Sequence, residues 1–108
     1  MGQLKQIVRE EVAKYAGIQG RGANLRLFKL LDDENRIYAV NAVDYPVRED
    51  VAGVVVLARI FDNRVVIEED ATDKPLVDAL LQLGIDRTQI VLAYEGEQVP
   101  DAQDFLQA

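Results

Sequence analysis

The segment that decides the fold runs from Phe61 to Tyr94 and reads FDNRVVIEEDATDKPLVDALLQLGIDRTQIVLAY. Its polar pair at 62–63 predicts a tight turn, because Asn63 tolerates a positive φ. The branched residues of 64–68 predict a strand that returns from this turn. Apolar residues at helical spacing then predict a helix that ends at Gly84, and the run at 89–94 predicts a last strand.

The second helix has a recognisable start. Pro75 suits the first turn of a helix, where a missing N–H costs little. Thr72 or Asp73 is the expected N-terminal cap, because short polar side chains can accept a hydrogen bond from the first free backbone amides.

The residues before this segment complete the architecture. An amphipathic pattern predicts a first helix over 3–16, and a glycine-containing connector follows. Further strands are expected at 25–31, 37–43 and 51–61. Consecutive hairpins favour an α+β fold: an N-terminal helix, a mostly antiparallel sheet of four to five strands, and a second helix packed on one sheet face. The length of 108 residues predicts one domain over 1–108.

Charge is distributed unevenly along the chain. Residues 1–54 hold eight basic and eight acidic side chains, whereas residues 55–108 hold four basic and eleven acidic ones, which gives the net charge of −7. Direct DNA binding usually requires a basic surface, so we do not expect it here. The acidic half suits a basic protein partner or maintains solubility. The sequence offers no membrane-spanning run and no signal peptide, and we expect a cytoplasmic protein.

Residue types that carry most enzyme chemistry are missing. The chain has no Cys, no His and no Ser. Its threonines have no evident base beside them, and the carboxylates of 68–70 are not followed by the lysine that a nuclease of the carboxylate-lysine type requires. The glycines at 17, 20 and 22 precede a strand, unlike those of a phosphate-binding loop. We therefore predict no catalytic residues and no cofactor.

An acidic corner is the densest polar group of the sequence. Glu68, Asp70 and Asp73 are the candidate ligands for a hard metal such as Mg²⁺ or Ca²⁺, since residues two apart on a strand point the same way. The alternative is a solvated acidic corner at the end of the strand, in which Asp70, Thr72 or Asp73 caps the next helix. Glu68, Glu69 and Asp70 are also candidates for contact with a partner, as is Tyr45, an aromatic residue in a charged loop beside a proline.

The order of these elements and the residues of 62–94 resemble the XisI family, which is named for a factor that controls excision of the fdxN DNA element. The match consists of the turn at 62–63, the strand at 64–68, the Asp-x-Thr corner at 70–72, the helix end at 83–86 and the closing strand at 90–94. Three positions depart from the family pattern: Val66 replaces a tryptophan, Asp86 a proline and Leu57 a histidine.

This resemblance implies a non-enzymatic accessory factor that assists a site-specific recombinase in programmed DNA rearrangement. It also implies a nuclease-like companion, XisH. An acidic protein without a catalytic group beside such a companion suggests a regulator that acts by protein contact.

Two other functions remain open from the sequence. One is a small metal-dependent enzyme that uses the carboxylates of 68–73, and the other is a stand-alone interaction module. We also expect a homodimer, because a sheet of four or five strands leaves an edge and possibly a face to be covered.

Overall fold

A computed structural model describes residues 2–17, 25–44 and 51–103. The elements follow the chain in the expected order and confirm the α+β class. They are α1 (Gly2–Lys14), β1 (Leu25–Asp32), β2 (Ile37–Asp44), β3 (Gly53–Phe61), β4 (Arg64–Asp70), α2 (Leu76–Gln82) and β5 (Ile90–Leu92). Short 3₁₀ turns follow α1 and flank β5.

The sheet has five strands in the order β1-β2-β3-β4-β5. The first four strands pair antiparallel through two hairpins and the β2–β3 connection, whereas β4 and β5 pair parallel. The parallel pair requires a crossover, and α2 supplies it. β1 and β5 therefore form the two edges of the sheet.

Both helices pack on one face of the sheet, which we call the helix face. The stripe of α1 at helical spacing and two leucines of α2 meet residues from four strands there. These buried residues are Leu4, Val8, Val12, Ala16, Tyr38, Val40, Val56, Ala58, Val65, Ile67, Leu76, Leu80, Ile90 and Leu92. Burial of this apolar surface is the main driving force for folding.

A polar contact fixes α1 against the β1–β2 hairpin. The fully buried Tyr38 donates a hydrogen bond from its hydroxyl to Oδ1 of Asp33 at 2.9 Å. Nε of Arg9 lies 3.2 Å from the same carboxylate oxygen. Burial raises the pKa of Tyr38 to about 12, and the neighbouring Asp33 adds to this shift. The hydroxyl is therefore a donor at every physiological pH.

The opposite face, which we call the back face, is covered over only part of its width. Val66 on β4 and Val91 on β5 are buried and lie outside the core of the helix face. The chain that follows β5 crosses this side, because Asp101 contacts Arg59, which pairs with Val66 in the sheet. The back face of β1, β2 and part of β3 lies beyond this segment.

Two local predictions are wrong in detail. The positive φ in the β3–β4 turn belongs to Asp62, at 55°, and not to Asn63; aspartate, like asparagine, is tolerated in the left-handed region. The last strand is shorter than expected, because the chain turns into a 3₁₀ helix at Ala93. Gly84 does follow the end of α2 with a φ of 93°, as the helix stop requires.

We predict that Leu80→Ala destabilises the fold by about 2–5 kcal/mol, because it leaves a cavity between α2 and the sheet. Leu81→Ala on the same helix is the matched control, since Leu80 is fully buried and Leu81 is 40% exposed. Urea unfolding monitored by circular dichroism measures both free energies. Equal losses for the two variants would contradict the described packing of α2.

Candidate interaction surface

The acidic corner is a helix cap built around Asp70. Oδ1 of Asp70 accepts hydrogen bonds from the backbone N–H and the hydroxyl of Thr72, at 2.9 and 2.6 Å. Oδ2 accepts the N–H of Leu76, the first residue of α2, at 2.7 Å. Asp70 thus satisfies a free amide of the helix from six residues away. Asp70 is therefore the member of the predicted capping group that binds the helix, whereas the prediction of Thr72 or Asp73 as the N-terminal cap is wrong, because neither side chain accepts an amide of α2 and Pro75 directly precedes the helix.

A β-bulge separates the carboxylates of Glu68 and Asp70. Leu57 pairs with Glu69 and Ala58 with Ile67, so Glu68 is the extra residue of β4. Asp70 pairs with the core residue Val56 and belongs to the helix face, whereas Glu68 accepts a hydrogen bond from Nε of Arg59 at 2.7 Å. The expectation that Glu68 and Asp70 point the same way is wrong, because the bulge shifts the alternation by one residue.

The other members of the corner do not join them. Glu69 is exposed and accepts the N–H of Asp70 at 3.0 Å, and Asp73 is exposed. Within 2–17, 25–44 and 51–103, no group of three or more His, Cys, Asp or Glu side chains is placed to hold a metal ion. Within this corner Asp70 therefore stabilises the start of α2, whereas Glu69 and Asp73 lie on its solvent side.

Arg59 on β3 anchors the last described residues of the chain to the sheet through an ion pair. Its two terminal nitrogens donate to the two carboxylate oxygens of Asp101, each at 2.8 Å, and its Nε donates to Glu68. The side chain of Asp101 is only 9% exposed. Planar two-bond pairing of this kind is stronger and more directional than a single ion pair.

Two carboxylates of the C-terminal region are held ionised by these contacts. The hydrogen bonds from Arg59 lower the pKa of Asp101. The backbone N–H of Leu92 lowers the pKa of Glu97, and Arg87 contributes through a hydrogen bond to the same side chain. Both pairs fix the chain after β5 against the rest of the fold.

An open cleft of about 810 Å³ lies on the helix face between α1, α2 and the start of β1. Tyr15 lines it and donates its hydroxyl hydrogen to the carbonyl oxygen of Lys74 at 2.5 Å. Burial raises the pKa of Tyr15. Lys14 and Glu11 form an ion pair at 2.7 Å beside it. The lining therefore carries both signs of charge around apolar walls.

Beyond the segment that follows β5, the back face of the described sheet exposes large apolar side chains. Phe28 and Leu30 of β1 are 45% and 52% exposed, and Ile37 of β2 and Val54 of β3 are each 40% exposed. Phe28 and Leu30 alternate with Leu27 and Leu31, which pack on the core of the helix face, so they point to the back. We call Phe28, Leu30, Ile37 and Val54 the apolar patch. Clusters of this kind are typical of surfaces that contact another macromolecule or chain segment.

β1 is also the open edge of the sheet. It is eight residues long and largely exposed, whereas the opposite edge strand β5 has three residues, all of them buried. Unpaired N–H and C=O groups along such an edge can accept another strand. The apolar patch and the edge of β1 are adjacent and together form the candidate interaction surface.

The sequence carries no local signal for the exposure of the apolar patch or for the contact that anchors the chain beside it. The sequence predicts the strand that contains Leu30, but the exposure of the Leu30 side chain depends on which face of the sheet the helices cover. Arg59 and Asp101 lie 42 positions apart, and no local pattern links them. Tyr45, predicted as an interface residue, lies outside the described residues.

We predict that Asp70→Ala costs about 1–3 kcal/mol of folding free energy, because it removes three hydrogen bonds and leaves the first amide of α2 without its acceptor. Asp73→Ala, three residues away and exposed, should change the free energy by less than about 0.5 kcal/mol. Urea unfolding at neutral pH measures both. A loss for Asp70→Ala no larger than that for Asp73→Ala would refute the capping role.

We predict that Asp101→Asn costs about 1–3 kcal/mol at pH 7. The folded-state pKa of Asp101 is lowered below the unfolded value of about 3.9, so its contribution is complete above about pH 4 and is lost as the pH falls through the lowered pKa. The difference between wild type and variant should therefore shrink in acid. Unfolding curves at pH 7, 5, 4 and 3 measure it, with Glu95→Gln as the exposed control. A difference independent of pH would contradict the ion pair.

Among the described residues, no helix combines the length and the apolar character needed to cross a bilayer. The family model for "XisI protein" matches residues 1–106. No curated protein matches the chain significantly.

Two solved structures share the fold. A XisI-like protein from Anabaena variabilis ATCC 29413 is 22% identical, with a TM-score of 0.75 over 95% of this chain and 92% of its own. The fdxN element excision controlling factor XisI from the same organism is 21% identical, with a TM-score of 0.72 over 86% of this chain and 85% of its own. Since the family model covers almost the whole sequence, the chain belongs to the XisI family.

Proposed function

We propose that this protein is a single-domain, non-enzymatic controlling factor of site-specific DNA element excision that acts in the cytoplasm by protein–protein contact. Membership of the XisI family supports a role in excision control, since a solved relative bears the name excision controlling factor. The partner that this role implies is a nuclease-like protein of the XisH type, within or beside a recombinase complex.

The observation that carries the proposal is the apolar patch beside the open edge of β1. Four large apolar side chains are exposed on one sheet face, and an eight-residue edge strand borders them. The most concentrated carboxylates of the chain lie elsewhere, and Asp70 and Glu68 are engaged by Thr72, Leu76 and Arg59. The exposed groups are thus suited to burying surface against another protein.

The charge distribution supports a protein partner over nucleic acid. The strands of the patch belong mainly to the neutral half of the sequence, and the remaining half carries the net charge of −7. A phosphate backbone would be repelled over that half. A basic surface on a partner would be attracted to it, and attraction of this kind raises association rates.

The edge of β1 also fits a second copy of the chain. If two copies of β1 pair antiparallel about Lys29, Arg26 of each lies opposite Asp32 of the other, and Phe28 lies opposite Leu30. Opposite charges and apolar pairs directly across from each other stabilise antiparallel strands by about 0.2–1 kcal/mol each. The two Lys29 side chains face each other at the centre, but both are exposed and can diverge into solvent.

The partner contact is tested by co-expression with a XisH-type protein and affinity capture of this chain. We expect the two proteins to co-purify in fixed stoichiometry. Leu30→Ser should abolish capture, and Leu83→Ser should not, because Leu83 is equally exposed, at 53%, but lies just after α2 on the other side of the sheet. Failure of the wild type to capture the XisH-type protein would overturn the excision role and favour a stand-alone interaction module.

The homodimer is tested separately by light scattering at tens of micromolar protein. We expect twice the chain mass of 12.1 kDa for the wild type. Arg26→Asp should yield monomers through repulsion by Asp32, and Arg26→Asp/Asp32→Lys should restore the dimer. Arg64→Asp, an exposed reversal on β4, is the control. Because Asp32 also accepts hydrogen bonds from Asn35, the stability of each variant is measured alongside. A monomeric wild type would refute dimerisation.

A further inference from the structure

The homodimer proposed through β1 would leave the back face of the sheet open. Pairing about Lys29 joins the two edge strands through their backbone groups, and each copy contributes five strands to one continuous sheet. Side chains directly opposite each other in antiparallel strands point to the same side, so the back faces of both copies would lie together. Phe28 and Leu30 of the two copies meet at the centre. Edge pairing therefore doubles the exposed apolar patch and does not bury it.

The register of the strands extends this patch into two continuous rows of side chains. Phe28 of β1 is aligned with one position on β2 and one on β3, and Leu30 is aligned with the neighbouring positions of the same strands. In the dimer, Phe28 of one copy continues into Leu30 of the other. Each row then consists, in order, of Val54, Asn41 and Phe28 of one copy and Leu30, Ala39 and Leu57 of the other. Apart from the amide of Asn41, both rows are apolar.

The floor formed by these rows has a raised border on each side. The chain that follows β5 crosses above Val66 and Val91, and Asp101 reaches Arg59 on β3. The two copies of β3 would be five strand spacings apart, about 24 Å. We call the floor between these two borders the trough. An α-helix with its side chains is about 10–12 Å wide, so two helices fit side by side in the trough.

The borders of the trough are negative. Arg59 binds two carboxylates, those of Glu68 and Asp101, so this cluster keeps one negative charge. Glu69 pairs with Leu57 and is exposed, which adds a carboxylate beside the end of each row. A ligand that carries apolar residues at its centre and cations at its flanks therefore complements the trough.

The other charges of the back face do not change this sign. Arg26 of each copy would lie opposite Asp32 of the other copy, so these two charges compensate each other. Arg64 pairs with Phe61 at the far end of β4 from Glu69. A second dimer is a poor occupant of the trough, because each chain carries a net charge of −7 and negative borders would meet.

We propose that dimerisation through β1 builds the partner-binding site, a two-fold-symmetric trough that takes a pair of amphipathic helices with basic flanks. This inference rests on the homodimer that belongs to the proposed function. Each copy contributes Phe28, Leu30 and Val54 to the floor, and a basic protein partner supplies the helices. The monomer presents half of the floor and one border, so its site is incomplete. Partner binding thus requires the dimer and does not compete with it.

The test uses the full-length protein and a fluorescently labelled peptide of leucine and lysine, patterned as an amphipathic helix. A length of about 18 residues lets it follow an eight-residue strand. The control peptide has glutamate in place of lysine. We expect two leucine–lysine peptides per wild-type dimer and about tenfold weaker binding of the leucine–glutamate peptide, whose charge has the same sign as the borders. Fluorescence anisotropy measures the affinity, and analytical ultracentrifugation measures the stoichiometry and the mass.

Variants of the edge and of the floor separate dimerisation from peptide contact. Arg26→Asp should be monomeric and bind the leucine–lysine peptide about tenfold more weakly, although its added negative charge attracts the peptide. Arg26→Asp/Asp32→Lys restores the wild-type net charge and should restore both the dimer and the affinity. Val54→Ser on β3 should keep the dimeric mass and weaken binding about tenfold. Leu81→Ser on α2 is the matched control with wild-type affinity, because Leu81 and Val54 are each 40% exposed.

Each contrary outcome has a distinct meaning. Equal affinity of the dimeric wild type and monomeric Arg26→Asp would refute a site shared by two copies, while the dimer itself would stand. An affinity unchanged by Val54→Ser would place the peptide elsewhere, and a wild-type dimer that binds no peptide would refute the helical occupant. A mass of four chains without peptide would mean that a second dimer covers the trough. A monomeric wild type would overturn this inference together with the homodimer, whereas capture of a XisH-type protein is measured independently.

Discussion

The packing of both helices on a single face of the sheet is the constraint on which the other features of this protein depend. It buries the alternate residues of four strands and provides one contiguous core. No helix or second sheet of the described part of the chain packs on the other face. The side chains on such a face are polar where it contacts water and apolar where it contacts protein. Within 2–17, 25–44 and 51–103, the segment that contacts this face is the chain after β5, which reaches as far as Arg59. The apolar patch is therefore a direct consequence of the topology.

Two carboxylates of the acidic corner, Asp70 and Glu68, have separate structural roles. Asp70 joins the end of β4 to the first turn of α2, and this connection sets the crossover that places β5 beside β4. Glu68 is directed to the other face by the bulge and joins the Arg59 cluster. Asp70 and Glu68 each accept hydrogen bonds from protein donors, so these two neighbouring carboxylates stabilise two different parts of the fold.

The sequence was sufficient for features that depend on local periodicity. Apolar residues at helical spacing predict α1 and α2, runs of branched residues predict the strands, and Gly84 predicts the end of α2. The parallel pairing of β5 with β4 depends on a crossover that local sequence patterns do not specify. The site was predicted less well. The alternation of side chains along a strand predicts that Glu68 and Asp70 lie on the same face of the sheet. A one-residue bulge in the pairing with β3 places them on opposite faces instead. The contact between Arg59 and Asp101 requires the whole sheet to be assembled, so no spacing could reveal it.

The acidic residues of β4 and β5 lie at the opposite side of the sheet from the exposed edge strand β1, and this arrangement favours association through β1. The strand order places β1 at the edge farthest from β5, so β4 and β5 lie about 14–19 Å from that edge, whereas α2 approaches the start of β1 across the cleft on the helix face. The Debye length at physiological ionic strength is about 8 Å, and repulsion between exposed charges decays strongly over such a distance. In the proposed dimer along β1, the acidic side chains of β4 and β5 would therefore lie beyond the range of strong repulsion between the two copies.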